Sequence, residues 1–122
     1  MPRLLLIEDN TAFRECLALL LDRQPDLEVV AQCGSLAECR DLGEGLSYVD
    51  VALLDLVLPD GDGAELIEVL RGANPPAKVL ILSANVEPDL WARMAGVGAD
   101  GVLEKTVSAA EITAEVRRVA RG

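Results

Sequence analysis

The chain lacks histidine altogether and contains only three cysteines, which excludes several kinds of site. Cys16, Cys33 and Cys39 have no metal-type spacing, and no imidazole is present to complete a zinc site. We therefore interpret the cysteines as small reduced side chains on helix or strand faces.

Basic residues and long apolar runs are also scarce. There are 11 basic residues against 21 acidic ones, and the resulting net charge of -10 makes broad attraction to nucleic acid or anionic lipid unfavourable. No apolar run approaches the ~20 residues that a membrane span needs. Residues 1–7 are too short, and end too close to acidic residues, for a signal peptide. We predict a cytoplasmic chain without direct contact with nucleic acid or membrane.

The residues that are present predict one α/β domain covering residues 1–122. The chain is 51% hydrophobic and 26% charged, which suits a globular domain with a substantial core. Apolar strands alternate with helical stripes in five units, with no long linker between them. This alternation predicts a doubly wound parallel sheet covered by helices on both faces. The predicted strands cover residues 4–7, 27–33, 51–56, 78–83 and 101–104.

Five helices are predicted from capping residues and apolar periodicity. Asn10 or Thr11 is expected to cap the first helix, and the Ser35 to Glu38 spacing is typical of a capping box at the second. Trp91, on the fourth helix, fits either ordinary packing or a partner-facing anchor. The apolar positions predicted to share one face of each helix are Phe13, Cys16, Leu17, Leu20 and Leu21; Leu36, Cys39 and Leu46, which are expected to face inward; Leu66, Ile67 and Leu70; Leu90, Trp91, Met94 and Ala95; and Ile112, Val116, Val119 and Ala120.

Polar side chains stand where four of the predicted strands end. The carboxyl ends of parallel strands meet at one edge of a sheet, where such folds bind ligands, so we expect these side chains to lie close together. They are Glu8, Asp9, Asp55, Ser83 and Lys105.

The chemistry of this set indicates phosphoryl transfer. At ~5 Å and an effective dielectric constant of ~20, each pair of the three carboxylates repels by about 3 kcal/mol. A hard divalent cation relieves this repulsion, and few carboxylates with several open positions suit Mg²⁺. With Lys105 adding positive charge, Asp55 is placed to attack a phosphorus atom.

Four short motifs at the strand ends resemble the response-regulator receiver domain of two-component signalling. They are Glu8-Asp9, Asp55 followed by Pro59 and Gly63, Ser83-Ala84, and Lys105 after the segment 98–101. The resemblance covers essentially the whole chain. It implies a flavodoxin-like (βα)5 fold with strand order 2-1-3-4-5.

The resemblance also implies a role for each site residue. Asp55 would be the phosphoacceptor for a sensor histidine kinase, and Asp9 and Asp55 would bind Mg²⁺ directly. Glu8 would reach the metal mainly through water, and the backbone carbonyl of Val57 would complete the protein ligands. On the phosphoryl side, the three residues implied are Ser83 as hydrogen-bond donor, Lys105 as charge partner and Ala84 as the small residue that leaves room.

Phosphorylation would then change the surface of helix 4, strand 5 and helix 5 and so control an output, with transcription the expected one. Val102 occupies a position where the family often has an aromatic switch residue, so no large ring rotates there. Thr106 replaces a frequent proline after the lysine, and we expect a trans peptide bond. The chain end resembles receivers attached to helix-turn-helix domains, so a C-terminal output domain is expected beyond this chain, with homodimerisation on phosphorylation as a further expectation.

Two alternatives remain open. A haloacid-dehalogenase-like phosphatase needs a second acid two residues after the nucleophile, where this chain has Val57. A receiver that binds partners without phosphorylation usually lacks an acid or the lysine, whereas this chain has both. We therefore expect a phosphoacceptor domain that assists its own Mg²⁺-dependent phosphorylation and dephosphorylation, and not a conventional enzyme.

Overall fold

Five parallel strands form the central sheet of the protein. The structure, a computed structural model, describes all 122 residues. The strands are β1 (Arg3–Ile7), β2 (Glu28–Cys33), β3 (Val51–Asp55), β4 (Lys78–Ser83) and β5 (Gly101–Glu104). Their order is 2-1-3-4-5, which confirms the predicted flavodoxin-like topology.

The strand register brings the carboxyl ends of the strands to one edge. Ile7 pairs with Leu54, so Glu8 and Asp55 follow at the same level. Asp55 itself pairs with Leu82 of β4. One residue further along the edge, Ser83 pairs with Glu104 of β5. The polar residues predicted at this edge therefore follow one another across four adjacent strands, β1, β3, β4 and β5.

Four α-helices and one short 3₁₀-helix connect the strands, and a fifth α-helix follows the last strand. The α-helices are α1 (Thr11–Asp22), α2 (Leu36–Asp41), α3 (Glu65–Ala73), α4 (Pro88–Gly96) and α5 (Ala109–Arg121), and the 3₁₀-helix covers Gly43–Tyr48. None of these helices combines the length and the apolar character needed to cross a membrane.

Side-chain caps begin three of the helices where the sequence predicted them. Asn10 accepts a hydrogen bond from the Phe13 amide at 3.0 Å, which selects Asn10 over Thr11 as the cap of α1. Ser35 accepts from the Glu38 amide, and Ser108 accepts from the Glu111 amide, both at 3.1 Å. These bonds satisfy backbone donors that have no partner within the first helical turn.

The core consists of two apolar layers, one on each face of the sheet. Along β1, Leu4 and Leu6 contact the layer under α1 and α5, whereas Leu5 and Ile7 contact the layer under α2, α3 and α4. All four side chains are buried, and each contributes about 1.5–3 kcal/mol through the hydrophobic effect. Because both faces are covered, the inner strands β1, β3 and β4 are nearly continuous apolar runs, whereas burial alternates along the edge strand β2.

Several predicted positions differ from the structure. α2 ends at Asp41, so Leu46 is buried from the 3₁₀-helix and not from α2, as glycines at 43 and 45 favour a break. Cys16 and Ala95 belong to the predicted apolar stripes but are exposed, and Trp91, for which packing and a partner-facing position were both open, is 46% exposed. The apolar stripes of α1 and α4 are therefore narrower than the periodicity indicated.

The turn after β3 contains a small hairpin that the sequence predicted only as a turn. Val57–Leu58 and Gly61–Asp62 form a two-residue antiparallel ladder. At its tip, Asp60 accepts hydrogen bonds from the amides of Leu36 at 2.8 Å and Ala37 at 3.0 Å. Asp60 therefore caps α2, an earlier helix, and joins the turn after β3 to it.

Candidate functional site

Three carboxylates meet at the carboxyl edge of the sheet, as predicted. Glu8, Asp9 and Asp55 each place one carboxylate oxygen within 4.8 Å of the other two. Glu8 and Asp55 are buried, because each directly follows or ends a central strand, whereas Asp9 is exposed at the start of the loop into α1. The site thus consists of two buried acids and a third acid that is exposed to solvent.

Backbone amides orient the two buried carboxylates. Glu8 Oε1 accepts a hydrogen bond from the Asn10 amide at 3.1 Å. Asp55 Oδ1 accepts one from the Val57 amide, also at 3.1 Å. Each bond leaves the second oxygen of the carboxylate free to bind another group.

Lys105 occupies that remaining position on both acids. Its Nζ atom lies 2.6 Å from Glu8 Oε2 and 2.9 Å from Asp55 Oδ2. Its ammonium group also lies 5.5 Å from the centre of the Phe13 ring, within the range of a cation–π contact. The lysine follows β5 and reaches across the edge of the sheet to these acids.

The protonation of this cluster follows from burial and from the lysine. Burial raises the pKa of Glu8 above its usual value, although hydrogen bonds from Lys105 and the Asn10 amide oppose this effect. Burial alone would lower the pKa of Lys105, but its bonds to Glu8 and Asp55 outweigh burial and raise that pKa. Lys105 therefore stays charged at neutral pH and offsets part of the repulsion between the acids.

Ser83 and Ala84 lie next along the same edge, at the end of β4. The Ser83 hydroxyl donates to the Asn85 carbonyl at 3.0 Å and accepts from the Asn85 amide at 3.3 Å. The Ser83 carbonyl accepts from the Lys105 amide at 2.9 Å, so the backbone holds the two residues together. Ala84 is exposed. In this structure the hydroxyl of Ser83 is engaged locally and not with the acids.

Val57 and Val102 occupy the other two positions singled out in the sequence. The Val57 side chain is 77% exposed, and its amide binds Asp55. Val102 is half-buried against the apolar layer under α2, α3 and α4. The chain has no cis peptide bond, which confirms the trans bond expected between Lys105 and Thr106.

Arg14 is a residue of this region that the sequence did not single out. Its Nη1 donates to the backbone carbonyl of Glu8 at 2.8 Å, and its Nε donates to Gln32 Oε1 at 3.3 Å. Both partners lie outside α1, whose apolar periodicity was the basis for predicting that helix. The periodicity therefore does not predict these hydrogen bonds.

The donor set fits a hard divalent cation. All three acids offer carboxylate oxygens, which are the ligands that Mg²⁺ and Ca²⁺ prefer. Asp9 is exposed and makes no ion pair, so its oxygens are available without breaking a contact. Cation binding by Glu8 or Asp55 would compete with Lys105 for the same buried carboxylates.

Together, the fold and the edge cluster define a flavodoxin-like α/β domain with an acid and lysine site at the carboxyl ends of its strands. The sequence model of the response regulator receiver domain matches residues 4–117. The chain therefore belongs to the response-regulator receiver family.

Similar proteins extend this assignment. The chain is 36% identical over 123 residues to the transcriptional regulatory protein LiaR of Bacillus subtilis, and 33% identical over 122 residues to the DNA-binding transcriptional activator DevR/DosR of Mycobacterium tuberculosis. Each alignment covers 100% of this chain but only 57% and 56% of those relatives. The signal receiver domain of NarL from Mycobacterium tuberculosis superposes with a TM-score of 0.87 at 31% identity, covering 99% of this chain and 97% of that one.

Proposed function

We propose that this chain is a phosphorylation-dependent switch in which Asp55 receives a phosphoryl group from a phosphohistidine of a sensor histidine kinase. The observation that carries the proposal is the position of Lys105, whose Nζ lies 2.9 Å from Asp55 Oδ2 and 2.6 Å from Glu8 Oε2. A charged group held against a buried carboxylate at the carboxyl edge of the sheet suits a reaction that adds anionic oxygens there.

In the transfer, an oxygen of the Asp55 carboxylate forms a new bond to phosphorus as the bond between phosphorus and the histidine nitrogen breaks. The electron pair of that bond leaves with the imidazole. Asp55 needs no general base because it reacts as a carboxylate. The Val57 amide, at 3.1 Å from Asp55 Oδ1, would hold the carboxylate in one orientation during the attack.

The cation would be held by Asp9 and Asp55 directly, by Glu8 mainly through water, and by the backbone carbonyl of Val57. When bound, Mg²⁺ supplies positive charge that offsets the repulsion between the carboxylates and the incoming phosphoryl oxygens. The proximity of the three carboxylates, within 4.8 Å, supports this assignment.

Two polar groups and one small residue would receive the phosphoryl group. Lys105 would transfer its contact from the carboxylates to a phosphoryl oxygen. The Ser83 hydroxyl would exchange its local bonds to Asn85 for a bond to another oxygen. Ala84 would leave space for the group at the end of β4. The domain would thus supply catalytic groups for its own phosphorylation and dephosphorylation.

Phosphorylation would be read out on the surface formed by α4, β5 and α5. The new contacts of Ser83 and Lys105 exist only in the phosphorylated state, and they displace the ends of β4 and β5, to which α4 and α5 connect. Val102 limits the change to repacking of a small side chain. Homodimerisation through the altered surface is part of this proposal.

The output proposed is transcription, carried by a DNA-binding domain outside this chain. Support comes from relatives that are described as transcriptional regulators and of whose length this chain spans 56–57%. The net charge of -10 supports leaving DNA contact to such a domain and not to the receiver itself. The proposed setting is the cytoplasm.

The test is the intact mass of the chain after treatment with acetyl phosphate, with Mg²⁺ or with a chelator. We expect one phosphoryl group to be added only with Mg²⁺, and to be removed by hydroxylamine, which cleaves acyl phosphates but not serine esters. Asp55→Asn should abolish the gain. Asp62→Asn, a matched change at an exposed acid of the neighbouring hairpin, should leave it intact.

Each contrary outcome favours a defined alternative. A full gain in Asp55→Asn would refute Asp55 as acceptor. No gain in the wild type would favour a receiver that binds partners without phosphorylation, and steady release of phosphate without an accumulated phosphoprotein would favour a phosphatase.

A further inference from the structure

The guanidinium of Arg14 binds neutral oxygens, although the chain is strongly acidic. The sequence contains 21 acidic residues, yet Arg14 forms no ion pair with any of them. Its donors instead bind neutral oxygens, the Glu8 carbonyl at 2.8 Å and Gln32 Oε1 at 3.3 Å. Ordering a long arginine side chain costs rotamer entropy, which these two hydrogen bonds must offset.

The carbonyl that Arg14 binds belongs to the peptide group between Glu8 and Asp9. The peptide on the other side of Glu8 is held as well, because the Glu8 amide donates to the Cys33 carbonyl of β2 at 2.9 Å. A peptide group is planar, so fixing its carbonyl fixes the directions in which the chain leaves at both ends. Arg14 therefore restrains the relative orientation of the two adjacent acids.

Gly34 provides the space for this contact. A Cβ atom at Gly34 would lie 3.0 Å from Glu38 Oε2, 3.1 Å from Arg14 Nη1 and 3.9 Å from the Glu8 carbonyl oxygen. The guanidinium thus passes directly over the backbone of the turn between β2 and α2. Gln32, at the end of β2, holds the guanidinium from the other side through Nε.

We propose that Arg14 is a positioning residue for the cation site, acting through the Glu8–Asp9 peptide and without contacting the cation or the phosphoryl group. This inference rests on the proposed function, because it requires that the acid cluster bind Mg²⁺. Mg²⁺ demands near-ideal octahedral geometry, so a small rotation of one carboxylate is costly. Residues that orient metal ligands typically account for 10–100-fold in metal affinity.

The direction in which Mg²⁺ affinity changes on replacing Arg14 distinguishes a positioning role from a purely electrostatic one. Arg14 is a cation near a cation site, so removing its charge alone would relieve repulsion and tighten Mg²⁺ binding. Loss of positioning would weaken binding. A residue that only stabilised the loop would lower the melting temperature of the metal-free chain and leave the dissociation constant unchanged.

The test is the Mg²⁺ dissociation constant, measured by calorimetric titration at constant ionic strength, for the wild type, Arg14→Met, Arg14→Lys and Arg23→Met. Arg23 follows the same helix and makes no side-chain hydrogen bond, so Arg23→Met removes the same charge without the contact. We expect Arg14→Met to weaken binding about tenfold, Arg14→Lys to weaken it less, and Arg23→Met to match the wild type or bind slightly more tightly.

An Arg14→Met variant that binds Mg²⁺ as tightly as Arg23→Met would overturn the inference and leave the proposed function intact. If Arg14→Met does not fold, the test uses Arg14→Lys, which keeps the net charge of the chain. A Mg²⁺ affinity equal to that of the wild type in Arg14→Lys would then overturn the inference. A wild type with neither a Mg²⁺-specific heat nor a Mg²⁺-specific rise in melting temperature would overturn the cation site and the inference together.

Discussion

Lys105 lies closer to Glu8 than to Asp55, at 2.6 Å against 2.9 Å. The lysine thus bridges an acid of the proposed cation site and the proposed phosphoacceptor. Because Glu8 and Asp55 are buried, this bridge is what makes two neighbouring carboxylates tolerable in the metal-free chain. In the proposed cation site, Mg²⁺ would compete with the ammonium group for these carboxylates.

Replacing Lys105 should therefore lower the stability of the metal-free chain and increase the stabilisation gained on adding Mg²⁺. We expect Lys105→Met to destabilise the metal-free chain by about 1–3 kcal/mol, because two buried acceptors lose their donor. The gain in melting temperature on adding Mg²⁺ should exceed that of the wild type, since no ammonium competes. Lys78→Met, at the start of β4, is the control for loss of one positive charge. A Mg²⁺ gain equal to or smaller than the wild-type gain would contradict the competition.

Mg²⁺ alone should stabilise the unphosphorylated chain through Asp9. At ten times its dissociation constant, a cation that binds only the folded state contributes roughly 1.4 kcal/mol. Asp9→Ala should lose this gain while remaining at least as stable without metal, because one member of the repelling cluster is gone. Thermal melting in MgCl₂ against NaCl of matched ionic strength measures it. Equal gains in both proteins would reduce the effect to screening of the acidic surface.

A matched pair of glycine substitutions should have opposite effects. A Cβ atom at Gly63 would overlap the Asp55 carbonyl oxygen and lie 3.0 Å from the Leu56 Cα atom, so backbone would have to move. We expect Gly63→Ala to cost about 1–3 kcal/mol or more. Gly72 lies inside α3 with no atom within 4 Å of its Cβ position, and Gly72→Ala should stabilise by about 0.4–1 kcal/mol. Urea unfolding of both variants checks the pair, and a stable Gly63→Ala would contradict the close approach.

The cap that Asp60 provides to α2 should depend on pH. Hydrogen bonds from the Leu36 and Ala37 amides hold the pKa of Asp60 below its usual value of 3.8. A carboxyl whose pKa is lowered by folding stabilises above its unfolded pKa, and the contribution disappears as pH falls through the folded pKa. The wild type should thus be more stable than Asp60→Asn from about pH 7 to about pH 5, and the difference should shrink below about pH 4.

The measurement is urea unfolding of both proteins across this range. Glu44→Gln removes an exposed charge whose side chain makes no hydrogen bond, and it serves as the control. A stability difference between wild type and Asp60→Asn that persists unchanged below the folded pKa would exclude the ionised carboxylate as its cause.

The strands and their polar ends were predictable because a short stretch of sequence determines each of them. An apolar run followed by an acid, a serine or a lysine marks a strand end, and capping residues such as Ser35 and Ser108 mark the next helix start. The contacts of Arg14 and Asp60 were not predictable in this way. Asp60 contacts Leu36 across 24 positions and Arg14 contacts Gln32 across 18, and both residues depend on side-chain directions that periodicity does not encode.

The sequence left the exposure of Trp91 open for a related reason. A helical stripe gives the direction of a face but not its width, and only Leu90 and Met94 of the α4 stripe reach the core. The Ser83 hydroxyl illustrates the same limit on a smaller scale. Its strand position follows from sequence, whereas its bonds to Asn85 depend on a loop that the pattern leaves open.

The half-exposed Trp91 also gives the protein an intrinsic optical probe. It is the only tryptophan of the chain and lies on α4, 46% accessible to solvent. Indole emission depends on the polarity around the ring, so the fluorescence of the whole molecule is in effect a local signal from that single helix. Rapid mixing with a phosphodonor can therefore follow α4 in real time, without a dye and without altering any residue.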